Sequence, residues 1–173
     1  MHRQANFKEV RMPEWKMHIK WSKKMGIPDD IARYTNGVID AVEDYPEDFT
    51  EYINKVKIPR PKNKTPFSIA DLLTMYGRHD FGKKDFIKRK VFPFFRRKGE
   101  DYVKAWYLHF ILDYLVDLKD WMKDTGEGIE EIIDKYQKNK AVTFLGTEEQ
   151  LVEVINFLKN NAQELQKDLD LPE

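Results

Sequence analysis

Apolar residues recur along this chain every three or four positions, so its elements read as helices. On a wheel of about 100° per residue, residues 13–25 place Trp15, Ile19, Trp21 and Met25 on one side and Lys16, Lys20, Lys23 and Lys24 on the other. Pro13 suits a first helical position, where its missing N–H goes unnoticed, and Gly26 suits the stop. His18 falls near the middle of the apolar side and is expected to point inward, as a hydrogen-bonded core histidine or as a ligand. Pro28 restarts a helix with Asp29 and Asp30 in its first turn, where the helix dipole favours them, and Ile31, Thr35, Val38 and Val42 follow at helical spacing. Tyr45-Pro46 breaks it. A short helix over 46–56 would bury Phe49, Ile53 and Val56, and Pro59, Pro61 and Pro66 mark a loop over 57–66. Residues 67–76 return to helix on Ile69, Leu72, Leu73 and Tyr76, with Gly77 as its end.

In the second half, an amphipathic piece over 83–97 is interrupted at Pro93, and its phenylalanines (86, 92, 94 and 95) are interleaved with lysines and arginines. They could pack into a core or offer a stacking platform for bases; packing is the preferred reading. One helix is expected over 100–124, with Leu108, Ile111, Leu115, Leu118 and Met122 as its apolar stripe. Opposite lie Tyr102, Trp106, His109, Asp113, Asp117, Asp120 and Asp124, within an arc of roughly 80°. Large aromatics do not belong on a solvent face, so the first half of that stripe should line a second buried surface and the second half should reach water. Gly126-Glu127-Gly128 reads as a turn, 129–138 as a helix with Ile132, Ile133 and Tyr136 inward, and 141–145 as an extended connector. Thr147 and Gln150 have the spacing of a capping box, opening a last helix to about Leu169 with Leu151, Val154, Ile155, Leu158, Ala162 and Leu165 inward.

The sum is an all-α fold: a flexible tail over 1–12, then a single helical domain over 13–173, a bundle of about seven helices. At 173 residues the chain can bury a proper core, and 41% hydrophobic with 35% charged residues is a globular balance. No apolar run approaches the roughly 18 residues of a membrane helix, and the first residues carry no apolar leader, so no membrane contact and a cytoplasmic setting are expected. Net charge is zero but unevenly placed: from Lys83 to Lys98 the basic residues face one acid, Asp85, whereas acids dominate from Gly99 to Asp134. That argues against a general nucleic-acid coat and leaves room for a local site for phosphate-bearing ligands. Gly-rich phosphate loops and the Gly-x-Ser-x-Gly and His-Glu-x-x-His motifs are absent.

The candidate chemistry centres on Arg78-His79-Asp80-Phe81-Gly82-Lys83. A neighbouring imidazole and carboxylate suit a divalent transition metal, and with no cysteine in the chain any such ion must be held by histidines and carboxylates. His18 stands upstream, and His109 and Asp113 stand four residues apart on one helix face, where they could share a metal or a proton. The expected metal ligands are therefore His18, His79, Asp80, His109 and Asp113, with zinc, manganese, iron or nickel all compatible.

His79-Asp80-Phe81-Gly82-Lys83 resembles the His-Asp-x-Gly-Lys signature of the HD-domain metal-dependent phosphohydrolases, an all-helical family. That family's ordered set is an early His, the His-Asp pair and a later Asp; His18, His79, Asp80 and Asp113 match it here, with Asp117 as the next choice for the last. Arg78 stands where the family has an apolar residue. The resemblance implies hydrolysis of a phosphomonoester or phosphodiester, with one or two divalent metals activating water. Asp80 would hold the metal and orient the water, Lys83 would stabilise developing charge, and Arg78 and Lys84 would hold the substrate phosphate of a nucleotide-like small molecule or nucleic acid. A second likeness, to helical zinc-dependent phospholipase C-like proteins, rests on the His-x-x-x-Asp pair His109 and Asp113. The two likenesses differ on whether His18 or His109 is the ligand. The competing class is a non-catalytic helical binding protein that uses the basic 83–98 stretch for nucleic acid or a protein partner; a structural metal fastening two helices is a third. Oligomeric state stays open.

Overall fold

A computed structural model describes residues 15–40, 44–57, 90–138 and 148–172. The expected tail over 1–12, the loop after Lys57, the helix over 67–76, the extended connector and the whole Arg78–Lys84 motif lie outside the described residues, as do Phe86 and Thr147.

The described residues form nine helices and no strand: α1 (Trp15–Lys24), α2 (Asp29–Asp40), α3 (Glu47–Lys55), α4 (Phe92–Lys98), α5 (Glu100–Asp117), α6 (Lys119–Thr125), α7 (Ile129–Lys138), α8 (Glu148–Asn160) and α9 (Ala162–Asp168). α1 ends as its sequence suggests. Gly26 takes φ +85°, its N–H bonds to the Lys23 carbonyl and the Ile27 N–H reaches Ser22, which satisfies two terminal carbonyls and buries Ile27. α9 closes the same way, with Asp170 at φ +51° and the Leu171 N–H on the Gln166 carbonyl. In α4, Pro93 sits in the first turn, where no amide hydrogen is needed.

α5 is the central element. α1, α2, α4, α7 and α8 all pack on it, and Val103, Trp106, Tyr107, Leu108, Ile111, Leu112 and Leu115 are buried around its circumference. A helix enclosed this way loses its one-sided pattern, and the polar residues left in its register then need partners. α2 and α1 also pack on one another, so α1, α2 and α5 meet in a common seam.

Two expectations are corrected. The single helix over 100–124 is two: the chain turns at Leu118 (φ −92°, ψ 6°), while the Leu118 N–H still reaches the Tyr114 carbonyl and the Met122 N–H reaches Leu118. Neither Pro nor Gly marks that bend. The single last helix is likewise divided at Asn161, whose side-chain amide bonds the Phe157 carbonyl and so competes with the helical ladder. The inward sets hold: Ile132, Ile133 and Tyr136, and Leu151, Val154, Ile155, Leu158, Ala162, Leu165 and Leu169, are buried. No helix among the described residues is long and apolar enough to cross a membrane.

Candidate metal centre

The seam of α1, α2 and α5 holds the two buried histidines among the described residues. Within α5, Trp106 is fully buried, His109 is 1% exposed and the Asp113 side chain 19% exposed, while Asp117, Asp120 and Asp124 face water. The aromatic half of that stripe thus lines a buried surface and the acidic half is solvated, as expected. α1 turns His18 inward to 2% exposure, and its ring stacks on His109, centroids 4.2 Å apart and planes 14° from parallel.

Asp113 lies against both rings. Its Oδ1 is 3.2 Å from His18 Nε2 and its Oδ2 is 3.1 Å from His109 Nε2. α2 adds two residues that the sequence reading missed. The Asp40 Oδ1 is 3.3 Å from His109 Nε2, and the buried Asn36 offers its Oδ1 to His109 Nδ1 at 2.8 Å. Asn36 had a legible signal, because it shares helical register with Ala32, Thr35 and Ile39, all buried. A polar amide in such a stripe needs a partner. Asp40 follows it by one turn.

Several of these atoms have no hydrogen-bond partner among the described residues: His109 Nε2, His18 Nδ1, Asp113 Oδ1 and Asn36 Nδ2. The carboxylate oxygens of Asp113 and Asp40 stand 3.1 and 3.3 Å from His109 Nε2, close enough to stabilise a charged ring. No lysine or arginine among the described residues pairs with Asp40, Asp113 or Asp117. Burial works to lower the pKa of His109, but Asp113 and Asp40 overcome it and push it up to about 9. Burial would raise Asp113; His109 and His18 instead hold it well below the usual carboxylate range. His18 moves down, because its burial and the charge of His109 outweigh the help from Asp113. Asp117, though exposed, is raised by partial desolvation of its carboxyl group and then by the charge of Asp113 one turn away.

His18, His109 and Asp113 each offer a ligand atom, all within 4.8 Å of one another, and the cluster could hold a metal ion. For bonds of about 2.0–2.1 Å, neighbouring donors lie about 3.3–3.4 Å apart around a tetrahedral ion and about 2.8–3.0 Å apart around an octahedral one. The nitrogen–oxygen separations of 3.1–3.3 Å fall between the two. Each Nε2 lone pair is confined to its own ring plane and the planes are nearly parallel, so a single ion requires one ring to turn. Asp113 gives each histidine its own oxygen, an arrangement that also suits two ions about 3.5–4 Å apart. His18 and His109, which the two sequence likenesses offered as alternatives, stand together. His79, Asp80, Arg78, Lys83 and Lys84 lie outside the described residues.

In the described part of the basic stretch, Phe92, Phe94 and Phe95 are buried against Phe49, Trp106 and Tyr107, so they pack in the core rather than offering faces to bases. Lys98 is enclosed by the rings of Tyr34, Phe94 and Tyr102 and pairs with Asp48 at 2.7 Å. No protein-family model, no curated protein and no solved structure matches this chain.

Proposed function

We propose that the seam of α1, α2 and α5 holds a divalent transition metal and that the protein uses it to hydrolyse a phosphate ester. The observation that carries this reading is the Asp113 carboxylate set between the Nε2 atoms of two buried histidines. Imidazole nitrogen with carboxylate oxygen, and no thiolate anywhere in the chain, favours zinc, manganese, iron or nickel. Negative charge at Asp113, Asp40 and Asp117, with no lysine or arginine among the described residues paired to it, favours a dication in place of the proton that His109 otherwise carries.

Two histidines and one carboxylate leave coordination positions for water, the pattern of catalytic rather than closed structural sites. Asp113 is the most exposed of the three, so water would enter from the carboxylate side. A divalent ion held by His18, His109 and Asp113 would supply an acidified water, and Asp117, with its raised pKa and one turn from Asp113, would exchange a proton there. The phosphate ester as substrate, small molecule or nucleic acid, comes from the HD-like motif: His79 and Asp80 would complete the ligand set, and Arg78, Lys83 and Lys84 would hold the phosphate. A cytoplasmic setting is part of the same proposal.

Elemental analysis of the purified protein tests this. Near-stoichiometric metal in the wild type, lost in His109→Ala and reduced in His79→Ala, is expected, with metal-dependent cleavage of aryl phosphate mono- or diesters. Full metal content in both variants would defeat the reading. Metal without cleavage would leave a structural ion in place of a hydrolase.

A further inference from the structure

We infer that Asn36 is the positioning residue of this centre: its side-chain carbonyl holds His109 in the tautomer that turns the Nε2 lone pair toward Asp113 and Asp40. The inference rests on the metal reading above.

A neutral imidazole has one N–H and one lone pair, and the group facing one nitrogen decides which is where. The Asn36 Oδ1 lies 2.8 Å from His109 Nδ1, with both residues 1% exposed. Water does not compete there. An acceptor at Nδ1 keeps the proton on Nδ1 and leaves Nε2 as a ligand. Nε2 then faces carboxylate oxygens at 3.1 and 3.3 Å, which hold a second proton there in metal-free protein and would hold a metal ion in its place. With the amide reversed, Asn36 would donate to Nδ1, the ring proton would move to Nε2 and the metal position would be closed.

Asn36 Nδ2 has no partner among the described residues. Buried amide donors are nearly always satisfied. The described partner of this amide is on its carbonyl end, at His109 Nδ1. α2 also carries Asp40 one turn on, so a single helix sets both the tautomer of His109 and a carboxylate at its metal-facing nitrogen.

The test is a Zn²⁺ titration of wild type, Asn36→Leu and Asn36→Asp, with the ¹⁵N imidazole spectrum of zinc-loaded wild type. Leucine keeps the volume and removes the acceptor, and zinc affinity is expected to fall about 10–100-fold. Aspartate can only accept, so it should hold the same tautomer and bind zinc within about threefold of wild type or more tightly. The wild-type spectrum should show His109 protonated at Nδ1 and ligated at Nε2. Unchanged zinc affinity in Asn36→Leu would overturn the role of Asn36, as would Asn36→Asp binding no better than Asn36→Leu, or a proton on Nε2 in the loaded wild type. Should Asn36→Leu fail to fold, the aspartate variant and the wild-type spectrum decide. A wild type that takes up no zinc would overturn the metal reading and this inference together, whereas zinc binding indifferent to Asn36 would overturn this one alone.

Discussion

Asp113→Asn is the sharpest single perturbation of the centre. It removes one negative charge, keeps the side chain's shape, and strips both histidine Nε2 atoms of the carboxylate that lies 3.1–3.2 Å away. In metal-free protein its effect runs through His109. A pKa of about 9 against an ordinary 6.5 corresponds to about 3 kcal/mol of preference for the charged ring. Asp113 and Asp40 share that work, so losing Asp113 should cost about 1–2 kcal/mol at neutral pH. For a chain of this size that lowers Tm by about 2–8 °C. With metal present the contrast widens. At a metal concentration of about 100 Kd, binding to the native state adds about 2.7 kcal/mol, or about 5–11 °C in Tm for wild type. If the variant binds about 100-fold more weakly, the same concentration adds about 0.4 kcal/mol, or about 1–2 °C. Thermal unfolding followed by circular dichroism, with zinc and with a chelator, reads all four values. Equal zinc-induced shifts in wild type and Asp113→Asn would refute the assignment of Asp113 as a ligand.

Other expectations follow from the same geometry. In metal-free protein the charged His109 contributes stability that is complete below about pH 6.5 and is lost as pH rises through about 9, because the folded state binds that proton more tightly than the unfolded chain. Urea unfolding between these limits should show a downward slope that His109→Gln flattens. Asp113 acts oppositely: its stabilisation is present above the ordinary carboxylate range and lost as pH falls below it. Lys98→Met, which removes the ammonium from among Tyr34, Phe94 and Tyr102 and from Asp48 but keeps most of the stem, should lower unfolding free energy by about 1–2 kcal/mol. A loss within error would mean that neither the rings nor Asp48 gain from the charge. Gly126→Ala should cost about 1 kcal/mol through backbone strain only, since Gly126 has φ +72° and a Cβ there would meet nothing within 4 Å; a larger loss by urea unfolding would point to a steric term.

The helical fold was legible because apolar periodicity is a local property. The register that turns His18 inward also buries Trp21, and the register that places Leu108, Ile111 and Leu115 in the core sets His109 and Asp113 on one face of α5. The oddity of Tyr102, Trp106 and His109 on an apparent polar face correctly signalled a second buried surface. The Gly126 turn and the Gly26 stop were readable too, because only glycine takes their left-handed backbone readily. The bends at Leu118 and Asn161 were not, since local spacing continues unbroken through both.

At the candidate site, one sequence could nominate His18, His109 and Asp113 but could not bring them together. Ring stacking of His18 on His109, and the approach of Asp40 and Asn36 from α2, depend on which faces of three helices meet. Those faces are chosen by how the whole core closes around α5, a property of many distant contacts at once. Sequence periodicity determined which residues point inward; the packing of α1 and α2 on α5 decided which of them share a charge, a proton or a metal.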